Sequence, residues 1–419
     1  MRILYVFWSF DKGFKLIHKS TPPTTTTTIF LCIIKRLIEE TNRQGGKQLK
    51  IKFKRQPLLN KLQLVAGLAE SESPNDILRN ILLRGFGKKK ECFVAATDIE
   101  STIASYFNPE DAPDADFDIL VPARKFLEII RRMEDDDVVV NIHKNNWMEI
   151  KTTSGVFKFP FLSGKSFPKI PASPTKAVFS FSSQTVSTIL PSLLNFAADD
   201  SLRRNLNGVY FEKIGGKIRL VATDSHRLAY FQKEISGAGN FEKFILSKKA
   251  LGEVVKTIKD SKVDSETAFS FENNMVFCST GETTVISNPI DSLFPEYERV
   301  VPDFSALEPA VVDKNAILAA VKRVSVFCEK HEKVDLSLVP STLSISSVET
   351  DEGDAVDTVP VKFGGDELKT SFNPRFLVDS LSFLDGEEID FRPGDGATPG
   401  VLTLTGSADF VCILMPVVS

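Results

Sequence analysis

Three stretches of the chain, at residues 49–69, 177–197 and 309–328, each begin with alternating apolar and polar residues and continue with apolar residues at helical spacing. This change of period predicts a strand that leads directly into an amphipathic helix. Shorter alternating segments at 137–143, 147–159, 275–287 and 342–348 are separated by polar turn residues, which indicates antiparallel strands. Pro191 is expected to kink the second of the three helices or to end it early.

Several short motifs recur at a constant distance. "AATDIESTI" at 95–103 matches "VATDSHRLA" at 221–229, so that Asp98 and Asp224 lie 126 positions apart. "SFPKIP" and "LFPEYERVVP" place Phe167 and Phe294 127 positions apart. Agreement between independent motifs on one period indicates an internal repeat.

A third marker occurs three times. The segments 121–130, 246–255 and 372–381 begin 125 and then 126 positions apart, and each has a helix-start residue followed by apolar residues at helical spacing. We therefore predict three units, at 49–173, 174–302 and 303–419. Each unit would contain two helices and several antiparallel hairpins, which is an α+β architecture.

Residues 1–48 stand outside this pattern. Their longest apolar run, "IFLCII", is too short to cross a bilayer, so no membrane association is expected. "RQGGK" at 43–47 matches what translation of a purine-rich ribosome-binding sequence would give. We hypothesise that 1–48 is a non-repeat extension from a mis-assigned start and that the working protein begins near Leu49.

Composition excludes several classes of protein. Apolar content of 42% and charged content of 25% are ordinary for a globular domain, and a net charge of −4 means that any nucleic-acid surface must be local. The five cysteines and four histidines are dispersed without metal-ligand spacing, and the common nucleotide and metalloprotease motifs are missing. We expect no metal and no cofactor.

The stretch "VATDSHRLAY" contains an acid, a hydroxyl and an imidazole side by side at Asp224, Ser225 and His226, the residue types of a hydrolytic triad. Adjacent residues of a strand point to opposite faces, however, and a triad is normally assembled from separate segments. Asp98 repeats Asp224 without the serine and histidine, which favours a structural turn. We therefore predict that the chain has no catalytic residues, with a Ser-His-Asp hydrolase as the alternative.

The three units, together with "LNGVYFE" at 206–212, "VATDSHRLA", "FPEYERVVP" and the closing "ILMP" at 413–416, resemble the bacterial DNA polymerase sliding clamp, the beta subunit of the replicative polymerase. The resemblance covers roughly 49–419. It implies a DNA-clamp fold of three similar domains, in which two chains join head to tail into a ring around duplex DNA. Such a clamp is not an enzyme; it tethers the polymerase for processive synthesis in the bacterial cytoplasm, at the nucleoid.

Contacts with DNA in this family are independent of sequence, and phosphate neutralisation permits sliding whereas base-edge contacts would halt it. The candidates here are basic residues of the predicted helices and of one loop that matches a DNA-contacting loop of the family: Arg124, Lys125, Arg131, Arg132, Arg203, Arg204, Lys248, Lys249, Lys256, Lys259, Lys314, Lys322, Arg323 and Arg375.

Partners in this family (the polymerase, the clamp loader, which supplies ATP hydrolysis, and repair proteins) insert short, mostly apolar peptides into a cleft between the second and third domains. The matching positions are Leu206, Thr223, Ser225, His226, Arg227, Leu228, Pro295, Arg299, Val300, Asn373, Phe376, Ile413, Leu414, Met415, Pro416 and Val417. Of these, we expect Ser225, His226 and Arg227 to orient the peptide above a floor at Leu228.

Two departures from the family pattern affect these expectations. The segment 69–76 is acidic where relatives often carry an arginine facing DNA, which puts DNA contact there in doubt. The chain ends in Val418 and Ser419 where relatives usually end in a basic residue and leucine, so the rim of the cleft is altered. A paralogue or scaffold specialised for repair is the second alternative function.

Overall fold

The computed structural model describes residues 49–417, apart from 70–72, 112–114, 201, 236–238, 240, 260–264, 329–332, 350 and 352. The proposed extension 1–48, part of the acidic segment 69–76, and Val418 and Ser419 lie outside the described residues. In the described part, the strand, helix and hairpin pattern occurs three times, once in each of three domains.

The first domain contains two helices and nine strands: β1 (Leu49–Lys54), α1 (Arg55–Ala66), β2 (Asn80–Phe86), β3 (Glu91–Thr97), β4 (Ser101–Phe107), β5 (Phe117–Pro122), α2 (Ala123–Arg132), β6 (Asp137–Ile142), β7 (Trp147–Lys151), β8 (Val156–Pro160) and β9 (Leu162–Ser163). The second contains two helices and eight strands: β10 (Phe179–Ser182), α3 (Ser183–Phe196), β11 (Gly208–Ile214), β12 (Lys217–Thr223), β13 (Arg227–Glu234), β14 (Phe244–Ser247), α4 (Lys248–Lys259), β15 (Glu266–Glu272), β16 (Met275–Thr280) and β17 (Thr283–Ser287).

The third domain also contains two helices and eight strands: β18 (Ala310–Asp313), α5 (Lys314–Ser325), β19 (Val334–Val339), β20 (Thr342–Ser346), β21 (Val356–Lys362), β22 (Leu368–Phe372), α6 (Pro374–Phe383), β23 (Glu388–Arg392), β24 (Gly400–Leu404) and β25 (Ser407–Leu414). The first helix of the second domain and that of the third each begin at a side-chain cap. The Ser182 side chain accepts a hydrogen bond from the Thr185 amide, and the Asp313 side chain accepts one from the Ala316 amide. These caps satisfy amides that have no partner within the helix.

Two sheets cross the domain boundaries. β17 of the second domain pairs antiparallel with β4 of the first, and β13 of the second pairs antiparallel with β25 of the third. The result is a nine-stranded and a twelve-stranded sheet, while β1, β6, β7 and β8 form a separate sheet of four strands. Backbone hydrogen bonds therefore join each domain to the next.

The helices cover one face of these sheets. Each helix contributes its apolar side to one continuous core that runs through all three domains: Leu58, Phe126, Leu193, Leu251, Ile317 and Leu377 are examples, one from each helix. The opposite face carries two smaller apolar clusters, one in the first domain and one across the boundary between the second and third, and residues of the interdomain linkers cover both. Charged helix residues and linker residues thus lie on opposite sides of the protein.

The prediction of an α+β fold with three repeated domains is confirmed. The expectation that Pro191 ends its helix early is wrong, because α3 continues through Pro191 to Phe196. Leu193 and Phe196, in the last turn, are fully buried, and this burial offsets the hydrogen bond that proline cannot donate. Among the described residues, no helix is long and apolar enough to cross a membrane.

Candidate functional site

The repeated Thr–Asp motif forms the same turn in the first two domains. Thr223 Oγ1 donates to the carbonyl oxygen of Arg227 at 2.7 Å, and Asp224 Oδ1 accepts the amides of His226 and Arg227 at 2.9 and 3.0 Å. In the first domain Thr97 donates to the carbonyl of Ser101 at 2.8 Å, and Asp98 accepts the Ser101 amide at 2.7 Å. The shared residues are scaffold, because they close a tight turn between strands.

The three residue types of a triad have separate partners in this turn. Ser225 Oγ accepts a hydrogen bond from Nη1 of Arg203 at 2.8 Å, while the His226 ring stacks on Phe376 with centroids 5.9 Å apart. The second carboxylate oxygen of Asp224 pairs with Nε of Arg227 at 3.0 Å. A proton relay requires the acid, imidazole and hydroxyl to be hydrogen bonded in series, and this arrangement does not provide that series.

An apolar layer, here called the floor, lies beneath the outer face at the boundary between domains 2 and 3, where linker residues such as Phe294 cover it. Leu228 of β13 lies opposite Ile413 of β25, and both belong to an outer cluster with Tyr230, Val401 and Val411. Burial raises the pKa of Tyr210 and Tyr297 in this cluster well above the usual value for tyrosine. These two hydroxyls therefore stay protonated over the physiological pH range.

The rim of this cleft combines exposed and half-buried side chains. The Met415 amide donates to the carbonyl of His226 at 3.0 Å, which brings the end of the chain beside the Thr–Asp turn. The exposed predicted residues are Ser225, His226, Pro295, Arg299 and Val300; the half-buried ones are Met415, Pro416 and Val417; Leu206 and Thr223 are buried. The structure thus brings most of the predicted peptide-contact residues to one outer surface.

Four predicted residues lie on the helix side instead. Leu414 belongs to the core beneath the helices. The guanidinium of Arg227 lies between the ring of Phe196 of α3 and that of Phe376 of α6, which is another predicted residue. Asn373 caps α6 by accepting the amides of Arg375 and Phe376. Because side chains alternate along β13, Arg227 points away from the floor that its neighbour Leu228 forms. Its guanidinium therefore lies in the helix layer, and the side chain is only 7% exposed.

Charge is distributed unevenly between the helices and the rest of the chain. The six helices contain 14 lysine and arginine residues and 3 carboxylates, a net charge of +11. Since the whole chain carries −4, everything outside the helices carries −15. The positive potential is local to the helix face, which is the distribution that non-specific DNA contact requires.

Twelve of the fourteen predicted DNA-contact residues lie on α2, α4, α5 and α6, and Arg203 and Arg204 lie at the short helix Arg204–Leu206. Some already have partners: Lys248 Nζ lies 2.9 Å from Asp199, and Lys249 Nζ lies 2.5 Å from the buried Asp98. Of the fourteen predicted DNA-contact residues, five are exposed and form no ion pair within the described part of the chain, namely Arg124, Lys125, Lys259, Lys322 and Arg375. These five are the cations most available to phosphates.

Sequence reasoning missed one acid beside the cleft, Asp379 of α6, which pairs with Arg227 at 2.8 Å. A signal for it exists, because the eighth residue of each repeated segment at 121–130, 246–255 and 372–381 is an acid: Glu128, Glu253 and Asp379. No pattern pointed to Phe196, the second ring beside Arg227. In the described residues, no group of three or more potential ligands is arranged to hold a metal ion.

Models of the DNA polymerase III beta subunit match this chain in order: the N-terminal domain at 49–171, the central domain at 184–296 and the C-terminal domain at 298–418. The beta sliding clamp of Pseudomonas aeruginosa is 27% identical over 367 residues, covering 87% of this chain and 98% of the relative. That of Caulobacter vibrioides is 27% identical over 377 residues, covering 88% and 99%.

Solved structures agree. The P. aeruginosa sliding clamp bound to griselimycin superimposes with a TM-score of 0.81 at 26% identity, covering 88% of this chain and all of that one. The Bacillus subtilis clamp has a TM-score of 0.82 at 20% identity, with coverage of 89% and 100%, and supports the fold. The three repeated domains, the cationic helices and these matches lead to one conclusion: the chain belongs to the family of the DNA polymerase III beta subunit, the bacterial sliding clamp.

Proposed function

We propose that two copies of this chain close head to tail into a ring around duplex DNA and tether polymerase and other DNA-processing proteins through the outer cleft. The family is a non-catalytic processivity factor for DNA polymerase. The main support for the ring is a pair of sheet edges, one in the first domain and one in the third. Pairing of these edges between two chains would form the same kind of junction that each chain already makes twice internally. The ring would act in the cytoplasm, at the nucleoid.

The two internal junctions define a rule. The last strand of one domain pairs with the strand that follows the Thr–Asp turn in its neighbour, as β17 pairs with β4 and β25 with β13. The last strand of the first domain's four-stranded sheet, β8, lies at the edge of that sheet. In the third domain the strand equivalent to β4 and β13 is β21. On the side where β4 and β13 meet the neighbouring domain, β21 pairs with β18 only at Val361 and Lys362, and its earlier residues form the edge. Each chain thus offers both halves of a third junction.

The internal ladders also set the register of that third junction. Phe157 occupies the place of Val285 in β17 and of Cys412 in β25, which pair with Ile103 and Ala229. The ladders of the third domain put Ala355 in the place of Ala229. Phe157 should therefore lie opposite Ala355 of the partner subunit, with Val156 opposite Val356 and Lys158 opposite Asp354.

Exposure and charge support this register. Of the thirteen exposed large hydrophobic side chains in the described residues, three lie on these two edge strands, namely Val156, Phe157 and Val356, and two, Val326 and Phe327, follow α5, which packs against β21. Phe327 is 42% exposed, although its equivalent in the second domain, Phe196, is fully buried at a junction. Lysine opposite aspartate is a favourable cross-strand pair. Exposed apolar edges of this kind mark interfaces.

A disulfide across the seam tests both the ring and its register. We expect the Val156→Cys, Val356→Cys double variant to form covalent dimers under mild oxidation, because directly opposite residues place their Cβ atoms within disulfide reach. Non-reducing electrophoresis should show one species of twice 46.4 kDa. Val156→Cys with Thr358→Cys, two positions out of register, is the matched control, and equal cross-linking by both pairs would contradict the proposed seam.

The outer cleft is the proposed docking site for apolar peptides from partner proteins, with Leu228 and Ile413 as floor and Met415 and Val300 at the rim. Griselimycin is bound by the clamps of P. aeruginosa and Bartonella birtlesii. We use griselimycin as the probe for this cleft, since an apolar floor with a few polar groups at the rim suits a peptide ligand.

We expect Val300→Asp to weaken griselimycin binding by about tenfold or more, because a carboxylate at the rim must lose water when an apolar ligand covers it. Calorimetry measures the affinity directly. Ile99→Asp, at an exposed apolar residue in the equivalent turn of the first domain, should leave affinity within about twofold. Equal losses in both variants would place the ligand elsewhere.

A further inference from the structure

Arg227 is the first residue of β13, yet its side chain reaches into the third domain. Its Nε lies 3.0 Å from Asp224 of its own domain, and its Nη1 lies 2.8 Å from Asp379 of α6. Its Nη2 donates to the carbonyl oxygen of Asn195, in the last turn of α3, at 3.0 Å. All three guanidinium nitrogens are therefore used, and the side chain is only 7% exposed.

Two aromatic rings enclose the same guanidinium. Its central carbon lies 4.9 Å from the centroid of Phe196, the last residue of α3, and 4.7 Å from that of Phe376 of α6. A planar, weakly hydrated guanidinium suits a position between rings, where lysine would satisfy fewer groups. The arginine thus fastens the first helix of domain 2 to the second helix of domain 3.

The equivalent place at the boundary between domains 1 and 2 has the two acids but not the arginine. Asp98 and Glu253 correspond to Asp224 and Asp379, and Ser101 stands in the place of Arg227. There Lys249 pairs with Asp98, and Lys256 pairs with Glu253 at 2.7 Å. At the proposed seam the equivalent residue is Gly353. The bridge between helices is therefore specific to the junction that bears the cleft.

The residues on either side of Arg227 belong to the cleft. His226 binds the Met415 amide through its carbonyl oxygen, and its ring stacks on Phe376, the ring that also contacts Arg227. Leu228 forms the floor. Any movement of α6 relative to α3 would change the position of Phe376 and, through it, of His226.

We propose that Arg227 is a positioning residue for ligand capture: it holds domain 3 against domain 2 so that the floor and rim keep the spacing a peptide needs, and it does not itself contact the peptide. This rests on the proposed function of the cleft. It predicts that affinity depends on Arg227 and Asp379 as a pair.

The test replaces the ion pair by an apolar pair. Arg227→Met alone leaves Asp379 unpaired at a packed junction, and griselimycin affinity should fall about tenfold or more. Arg227→Met with Asp379→Leu removes both charges and keeps the volume filled, which buried ion pairs often tolerate. Asp224 keeps the amides of His226 and Arg227 as donors. Affinity of the double variant should return to within about threefold of the original protein.

The opposite outcome would overturn the proposal. If the guanidinium contacts the ligand, the double variant binds as weakly as Arg227→Met. Arg227→Lys, which keeps the charge without the planar fork, should be intermediate if Arg227 positions the domains.

Amide hydrogen exchange without ligand supplies an independent readout. Exchange at α6 and at Met415 should quicken about tenfold in Arg227→Met and recover in the double variant. Unchanged exchange would refute the proposal. If the unaltered protein fails to bind griselimycin while these exchange effects appear, the proposed cleft function fails and the interdomain role of Arg227 stands.

Discussion

Phe157→Asp should convert the protein from a dimer of about twice 46.4 kDa to a monomer. In the proposed ring, Phe157 leaves water when it meets Ala355 and the helix side of the partner subunit's third domain. A carboxylate placed there is buried without a cation, at a cost of about 3 kcal/mol for each seam. Because a two-chain ring has two seams, dimerisation should weaken by about 6 kcal/mol, or more than 10,000-fold.

Light scattering during size-exclusion chromatography measures this change over a range of concentrations. Ile214→Asp is the matched control, because Ile214 is likewise an exposed apolar residue at a strand end, 38% exposed, but lies away from both edges. Phe157→Leu should stay dimeric, since it keeps the apolar contact. A dimer that survives Phe157→Asp would mean that the chain associates through another surface.

Reversing three helix cations should abolish most DNA binding at physiological salt. Lys125, Lys322 and Arg375 are exposed, and within the described residues they form no ion pair, so their reversal breaks no internal contact. The Lys125→Glu, Lys322→Glu, Arg375→Glu variant removes six phosphate contacts from a ring of two chains. The slope of the logarithm of the binding constant against the logarithm of salt concentration should fall by up to about 5.

Fluorescence anisotropy with linear duplex DNA, measured across a salt series, gives this slope. Lys217→Glu, Lys233→Glu, Lys243→Glu is the control of equal charge change, because Lys217 and Lys233 lie on strands of the second domain, Lys243 directly precedes β14, and none of the three lies on a helix. Lys248 and Lys249 are poorer targets, because reversing either charge breaks an ion pair: Lys248 pairs with Asp199 within the second domain, and Lys249 pairs with Asp98 across the boundary to the first. Equal slopes in both triple variants would contradict DNA contact by the helices.

The fold could be predicted closely because its signals are local and occur three times. The change from strand to helix periodicity correctly indicated β1 with α1, β10 with α3, and β18 with α5. The Thr–Asp repeat indicated a structural turn, and the hydrogen bonds of Thr97 and Thr223 show one. Proline misled in α3 because burial of Leu193 and Phe196 depends on tertiary packing that the local sequence does not reveal.

The sequence by itself determined the three-fold repeat, the α+β class and the concentration of positive charge on the helices. The repeat follows from the spacing of motifs along the chain, and the other two follow from residue type and spacing within single elements. Only the tertiary structure decided which side of a strand faces which neighbour across a domain boundary. It assigned Leu228 to the outer floor and Arg227 to the helix layer, where Asn195, Phe196, Phe376 and Asp379 surround the guanidinium. Those partners lie up to 152 positions away in the chain, and spacing alone carries no information on contacts that form only when two domains pack together.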